Sequence, residues 1–134
     1  MTAFRVRIAG TEVTVDRVTG LALAADPTRI AEVHDIVGPV GWIAPPAPVR
    51  LRLERAFDGS RAFYDWRRDA VLGHDAARRT VQIETLDAVG GVGQAWELTG
   101  WPSAWRGPVL DAAGDGELRE RLEVLAFDLI WLPG

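Results

Sequence analysis

At 134 residues and 48% apolar content, the chain has the size of one domain with one core, expected to span residues 1–134. The absence of cysteine excludes a disulfide framework, a thiolate metal site and a cysteine nucleophile. The net charge of -4 combines 15 basic residues, all arginine, with 19 interspersed acids, which leaves no footprint for specific nucleic-acid binding. No apolar run approaches the roughly 18–20 residues of a membrane span, and Met1 to Gly10 lacks the layout of a signal peptide. Synthesis in the cytoplasm, without a membrane span, is the expectation.

Phe4, Val6 and Ile8 alternate with Arg5 and Arg7, which predicts a half-buried strand. Gly10-Thr11 supplies a turn, and Val13 and Val15 then alternate with Glu12, Thr14 and Asp16 to complete an opening hairpin. Gly20 to Leu23 ends that second strand, and Arg29 to Val37 is expected to form a third on Ile30 and Val33. Pro39, Pro45, Pro46 and Pro48 lack a ladder donor, so Gly38 to Pro48 reads as an exposed loop. Val49, Leu51 and Leu53 alternate with Arg50, Arg52 and Glu54 as a fourth strand.

From Asp58 or Ser60 the period changes, with Ala62, Phe63, Trp66, Ala70 and Val71 recurring at three and four residues. This predicts a helix over roughly 60–72 that ends near Gly73 and lays Phe63 and Trp66 on the sheet. Asp65 and Asp69 are expected to pair with Arg61 and Arg68 on its surface. Thr80 to Asp87 and Val92 to Leu98 form a second hairpin around Gly90-Gly91. Trp96, Trp101 and Trp105 follow closely, punctuated by Gly100, Pro102, Gly107 and Pro108, a pattern that predicts a rigid, buried aromatic corner between two strands. After the polar Asp111 to Gly116 loop, Leu118 to Leu132 is one extended final strand. The layout implies a mainly β fold, an antiparallel barrel or sandwich of about six to eight strands with one packed α-helix.

Groups with chemistry are few. His34 and His74 have no partner at a metal-ligand spacing, and neither Ser60 nor Ser103 sits in a nucleophile elbow. Ser60 reads as a helix N-terminal residue and Ser103 as a turn residue. Gly90-Gly91-Val92-Gly93 leads into a strand, where no helix dipole awaits a phosphate. Asp111, Asp115 and Glu117 would support acid-base work or Ca²⁺ binding if a pocket gathered them, although a solvated loop is the plainer reading. No catalytic group, metal or cofactor is expected. Trp42, Trp101 and Trp131 offer an exposed aromatic surface if the chain is instead a small β-barrel ligand-binding module. The clean polar positions are Arg5, Arg7, Glu12, Asp16, Arg50, Arg52, Glu54, Gln82 and Glu84. In a monomer they are the solvated side of a sheet; in an oligomer they line a channel or a ring interface.

Ordered motifs over nearly the whole chain resemble the tail-tube family of contractile phages and phage-like contractile injection systems. They are Phe4-Arg-Val-Arg-Ile8 with Val18-Thr-Gly-Leu21, Val49 to Leu53, the helix Phe63-Tyr-Asp-Trp66, Arg79 to Ile83 with Leu86-Asp87, Trp96-Glu-Leu98, Trp101-Pro102 with Trp105-Arg-Gly-Pro108 and Leu110-Asp-Ala112, and Glu120 to Val124. The resemblance implies a non-enzymatic, Hcp-like inner-tube subunit. Six copies would form a homohexameric ring with a continuous sheet, and rings would stack into a hollow tube for protein cargo inside a sheath and above a baseplate. The helix would pack on the outer side, with charged positions toward the lumen or adjacent rings. Three departures from the family pattern point to the alternative of a ring that initiates or caps the tube: a first strand starting at Phe4, a short Pro-rich Asp26 to Pro48, and an apolar Phe127 to Leu132.

Overall fold

The computed structural model describes residues 3–22, 48–114 and 116–133. Strands β1 (Ala3–Ile8) and β2 (Thr11–Val13) form the opening hairpin. Ala9 and Gly10 join them at φ 52° and 80°, one residue earlier than Gly10-Thr11. Two successive positive φ values make the mirror-type turn whose twist matches the flanking strands. Then come β3 (Arg17–Thr19), β4 (Val49–Ala56), helix α1 (Ala62–Val71), a short 3₁₀ turn (Asp75–Ala77), β5 (Arg79–Leu86), β6 (Val92–Arg106) and β7 (Arg119–Pro133). The strand expected over 29–37, and all of the Pro-rich loop but Pro48, lie outside the described residues.

The described strands form one antiparallel sheet in the order β2-β1-β5-β6-β7-β4-β3. Its two ends are halves of one segment: β2 pairs with β1, and three residues beyond Val13 the chain reaches β3, which pairs with β4. Residues 11–19 therefore bend from one edge to the other and close the sheet into a barrel. Asp16 N–H donates to the Glu54 carbonyl at 2.9 Å across this seam. Gly20, at φ 94°, lies so near β4 that a Cβ would sit 2.1 Å from the Arg50 carbonyl oxygen. Only glycine fits there.

Alternation sends Val6, Ile8, Leu51, Leu53, Val81, Ile83, Leu98, Leu122 and Val124 to the core side. Helix α1 covers that side, burying Phe63, Trp66 and Ala70 at spacings of three and four. Full burial of Phe63 contributes about 1.5–3 kcal/mol. Trp66 Nε1 donates to the Ala77 carbonyl at 2.6 Å, so its polar edge is satisfied in the interior. The Ser60 hydroxyl accepts from Ala62 N–H at 3.3 Å at the helix start. Asp65 pairs with Arg61 as expected, but Asp69 turns to Arg79 at 2.9 Å rather than to Arg68, because β5 brings that guanidinium beside the helix.

The aromatic corner expected from Trp96 to Pro108 is not a corner. β6 runs unbroken for 15 residues, and the chain leaves the ladder only after Arg106, ahead of Gly107-Pro108. Opposite Pro102 and Ala104, β7 advances only from Val124 to Glu123, so Ser103 is an extra, bulged residue. The bulge accommodates a proline, which has no N–H to donate, within a central strand. Ser103 Oγ donates to the Glu123 carbonyl at 3.2 Å, so Ser103 is a bulge residue and not a turn residue. Gly100 is likewise a mid-strand position, where a Cβ would meet Val124, Val81 and Trp66 at 2.8, 3.1 and 3.2 Å.

Candidate functional site

The face of the sheet opposite α1 gathers the charged strand positions. On one flank Arg5 Nη2 and Arg7 Nη1 each lie 3.1 Å from Glu84 Oε1, Arg7 sits opposite Glu12, and Gln82 Nε2 donates to Glu97 Oε2 at 3.4 Å. On the other flank Arg52 pairs with Glu123 at 3.3 Å, while Arg17 and Arg121 reach Glu54 at 3.6 and 3.9 Å. Arg50 is exposed beside Leu125. Asp16 sits at the barrel seam, ion-paired with Arg119 and accepting from Ala56 N–H at 3.2 Å. The hydrogen bond from Arg119, helped by that residue's charge, outweighs desolvation and holds the Asp16 carboxyl below its usual range. Register places Thr99, Trp101, Leu125 and Phe127 between the flanks, so the face is amphipathic, charged at the sides and apolar along the middle.

Glu97, Glu123, Arg17 and Arg121 escaped the sequence reading because cross-strand register is not visible in one chain. Arg55 and Glu120 escaped it too, although a signal was present: Arg55 shares the parity of Leu51 and Leu53, and Glu120 that of Leu122 and Val124. Both are buried, at 2% exposure each. Arg55 Nε donates to Glu120 Oε1 at 2.5 Å, and Trp105 Nε1 donates to Glu120 Oε2 at 3.0 Å.

The tryptophans are dispersed. Trp96 stacks on Trp131, with centroids 6.4 Å apart, and Trp105 meets Tyr64 edge-on at 5.3 Å. Trp101 projects from the charged face, opposite to Trp96 and Trp131, and Trp42 lies outside the described residues, so the described residues do not assemble the aromatic ligand surface. Pro102 is buried at the bulge, and Gly107 packs so closely on the Trp105 ring that a Cβ would sit 2.7 Å from it. Pro108 follows it outside the ladder. Asp111 accepts from Ala113 N–H at 3.0 Å within its own turn, Glu117 faces Arg119 at 3.5 Å, and Asp115 and His34 lie outside the described residues. His74 lies 3.6 Å from Asp69. Among the described residues no group of three or more His, Cys, Asp or Glu could hold a metal, and no helix is long and apolar enough to cross a membrane.

A small closed barrel with a helix on one side and a broad, ion-paired, amphipathic sheet on the other is a tube-type β-barrel subunit, built to present a surface. The chain belongs to the family of the T4-like virus tail tube protein gp19, whose model matches residues 1–126. The resemblance carried by Phe63 to Trp66 and Trp101 to Pro108 is thus its family. The fold is similar to a chain of the PVC sheath-tube complex, an extracellular contractile injection system in the extended state (TM-score 0.74, 15% identity, 98% of this chain and 89% of that one). It is similar to a chain of the PVC sheath/tube terminator (TM-score 0.74, 18% identity, 97% and 93%) and to Hcp1 from Flavobacterium johnsoniae (TM-score 0.64, 15% identity, 98% and 96%). At these identities the likeness is one of fold. No curated protein matches the sequence.

Proposed function

We propose that the chain acts as a homohexameric ring whose sheets join edge to edge, and that rings stack into a hollow inner tube for protein cargo. The observation that carries this reading is a pair of open strand edges. β2 covers only Val6 to Ile8, so Ala3 to Arg5 of β1 pair with β5 alone; β4 ends against Ala126, so Phe127 to Pro133 of β7 pair with β6 alone. Among the described residues, these backbone groups are left for a neighbour's strand. Two different edges meeting head to tail make a heterologous contact that can close into a ring. The charged rows then face the lumen or the next ring, and the α1 side faces outward.

By likeness to chains of the PVC sheath-tube complex and of the anti-feeding prophage baseplate, the outer side meets a sheath and one end of the tube meets a baseplate. The chain would then be part of an assembled, extracellular particle, with a structural and not a catalytic role. Negative-stain imaging with native mass measurement tests the ring. Six-membered rings or tubes are expected, and a protein that stays monomeric at high concentration and binds no tail component would sink it.

A second reading, a ring that starts or caps the tube, draws support from the TM-scores of 0.74 to the PVC terminator and 0.72 to the anti-feeding prophage cap. Rings that form but never lengthen would favour it.

A further inference from the structure

We propose that within the ring β1 of one copy pairs antiparallel with β7 of the next, with Phe4 set opposite the neighbour's Trp131. This inference rests on the edge-to-edge ring above and names the sense and the register of its joint.

β5 and β6 lie between β1 and β7, and all three junctions are antiparallel, so β1 and β7 run in opposite directions. Copies related by rotation about a ring axis keep the direction of every strand, so a neighbour's β1 meets β7 antiparallel. The joint also keeps the two faces of the sheet continuous. Phe4 and Leu129 pack against the core cluster, and Trp131 stacks on Trp96 at that same face. Residues directly opposite in a ladder share a face, so Phe4 has to fall opposite Leu129 or Trp131.

Backbone chemistry chooses between them. Only Ala3 to Arg5 of β1 lie beyond the reach of β2, an edge of three residues. Along β7 the ladder to β6 shifts register between Phe127 and Ile130, and Asp128 stands at φ 53°, so residue 128 leaves the regular extended geometry. Pro133 has no N–H to donate. Ile130 to Leu132 is the stretch of three that has a core-side residue at its centre and leaves both Asp128 and Pro133 outside. Arg5 then lies opposite Ile130, Phe4 opposite Trp131, and Ala3 opposite Leu132. Pairing Phe4 with Leu129 would instead set Arg5 against the bulge at Asp128.

The side chains agree with this register. Ile130, Trp131 and Leu132 are 53%, 62% and 46% exposed in a single copy, apolar on both faces of an open edge, and a paired strand removes them from water. Trp131 is already fixed by stacking on Trp96 and by its Nε1 donating to Gln94 Oε1 at 2.8 Å, so Phe4 extends an existing row of cross-strand aromatic rings. On the opposite face Ile130 meets an arginine whose charge Glu84 of the same copy has neutralised.

The cysteine-free chain allows a direct test. Ala3→Cys/Leu132→Cys puts two exposed positions opposite each other across the joint, at the Cα separation of about 4.5–5.5 Å that a disulfide spans. β5 and β6 separate the two positions within one copy, so any link joins two copies. On mild oxidation a non-reducing gel is expected to show a ladder of linked copies up to the hexamer, with several-fold less link in Ala3→Cys/Ile130→Cys. Six-membered rings by native mass measurement that form no 3–132 link, or that link 3 to 130 more strongly, overturn the joint and leave the ring standing; wild-type protein that stays monomeric overturns the ring and the joint with it. As a second arm, Ile130→Lys/Leu132→Lys should keep its circular dichroism but lose the rings, and rings that persist overturn the proposal. Exchange-protected amides at Ile130 to Leu132 in a monomeric wild type would place residues 23–47 of the same chain on this edge, and would overturn it as well.

Discussion

The Arg55 guanidinium donates to the Glu120 carboxylate at 2.5 Å and lies 4.1 Å above the ring of Phe63, so one buried ion pair ties β4 and β7 to the helix. Removing one partner leaves the other charge buried without compensation. Glu120→Ala is expected to cost about 3–5 kcal/mol in urea unfolding, whereas Arg55→Met/Glu120→Leu should be neutral or stabilising by about 1–4 kcal/mol. A double variant as weak as the single one would show that the pair itself holds the barrel together.

Gly100 is the point where Trp66 touches the sheet. Gly100→Ala should push its methyl against Val124, Val81 and the Trp66 ring and cost about 1–3 kcal/mol, with no loss of strand content by circular dichroism. A variant as stable as wild type would mean that the helix docks less tightly than the geometry indicates.

Gly20 guards the seam. Its left-handed backbone alone would cost a side chain about 1–3 kcal/mol, and a methyl 2.1 Å from the Arg50 carbonyl forces backbone movement as well. Gly20→Ala is expected to raise hydrogen exchange in β3 and the facing half of β4 while β5 and β6 stay protected. Uniform exchange throughout the sheet would argue against a local seam.

Acid should act at the same seam. The Asp16 carboxyl is depressed chiefly by its hydrogen bond from Arg119, so its contribution is fully present above the ordinary aspartate range and is lost as pH falls through the lowered value. Asp16→Asn should therefore flatten the loss of stability below about pH 4 relative to wild type. Superimposable acid-unfolding curves for the two proteins would count against it. Asp16 is an exposed residue, so high salt should shrink the difference.

Glu84 neutralises two arginines at once. Glu84→Gln leaves Arg5 and Arg7 facing each other without a shared anion, and a loss of up to about 1 kcal/mol is expected in low salt. The same measurement near 1 M salt should bring variant and wild type together, since screening then acts within about 3 Å. A loss that is independent of salt would mean packing, not charge, is what Glu84 supplies.

Sequence alone determined the elements whose pattern is local. Period-two runs placed β1, β4 and β5, period 3.6 placed α1 with Phe63 and Trp66 inward, and the ordered Trp-Pro and Trp-x-Gly-Pro motifs carried the family. Only the tertiary structure decided what depends on register between distant segments. Residues 11–19 close the barrel because β1 and β4, far apart in sequence, come to its two sides. Trp96 to Arg106 stays in one strand because Ser103 bulges around Pro102 opposite β7, whereas a composition rich in Gly and Pro reads locally as a turn. Arg55 finds Glu120 because the antiparallel β4–β7 register sets them opposite each other, and Trp96 meets Trp131 because the 15-residue strands β6 and β7 pair along their length. Local pattern encodes which side chains turn inward; the partners they meet are set by long-range pairing, which no single stretch of the chain contains.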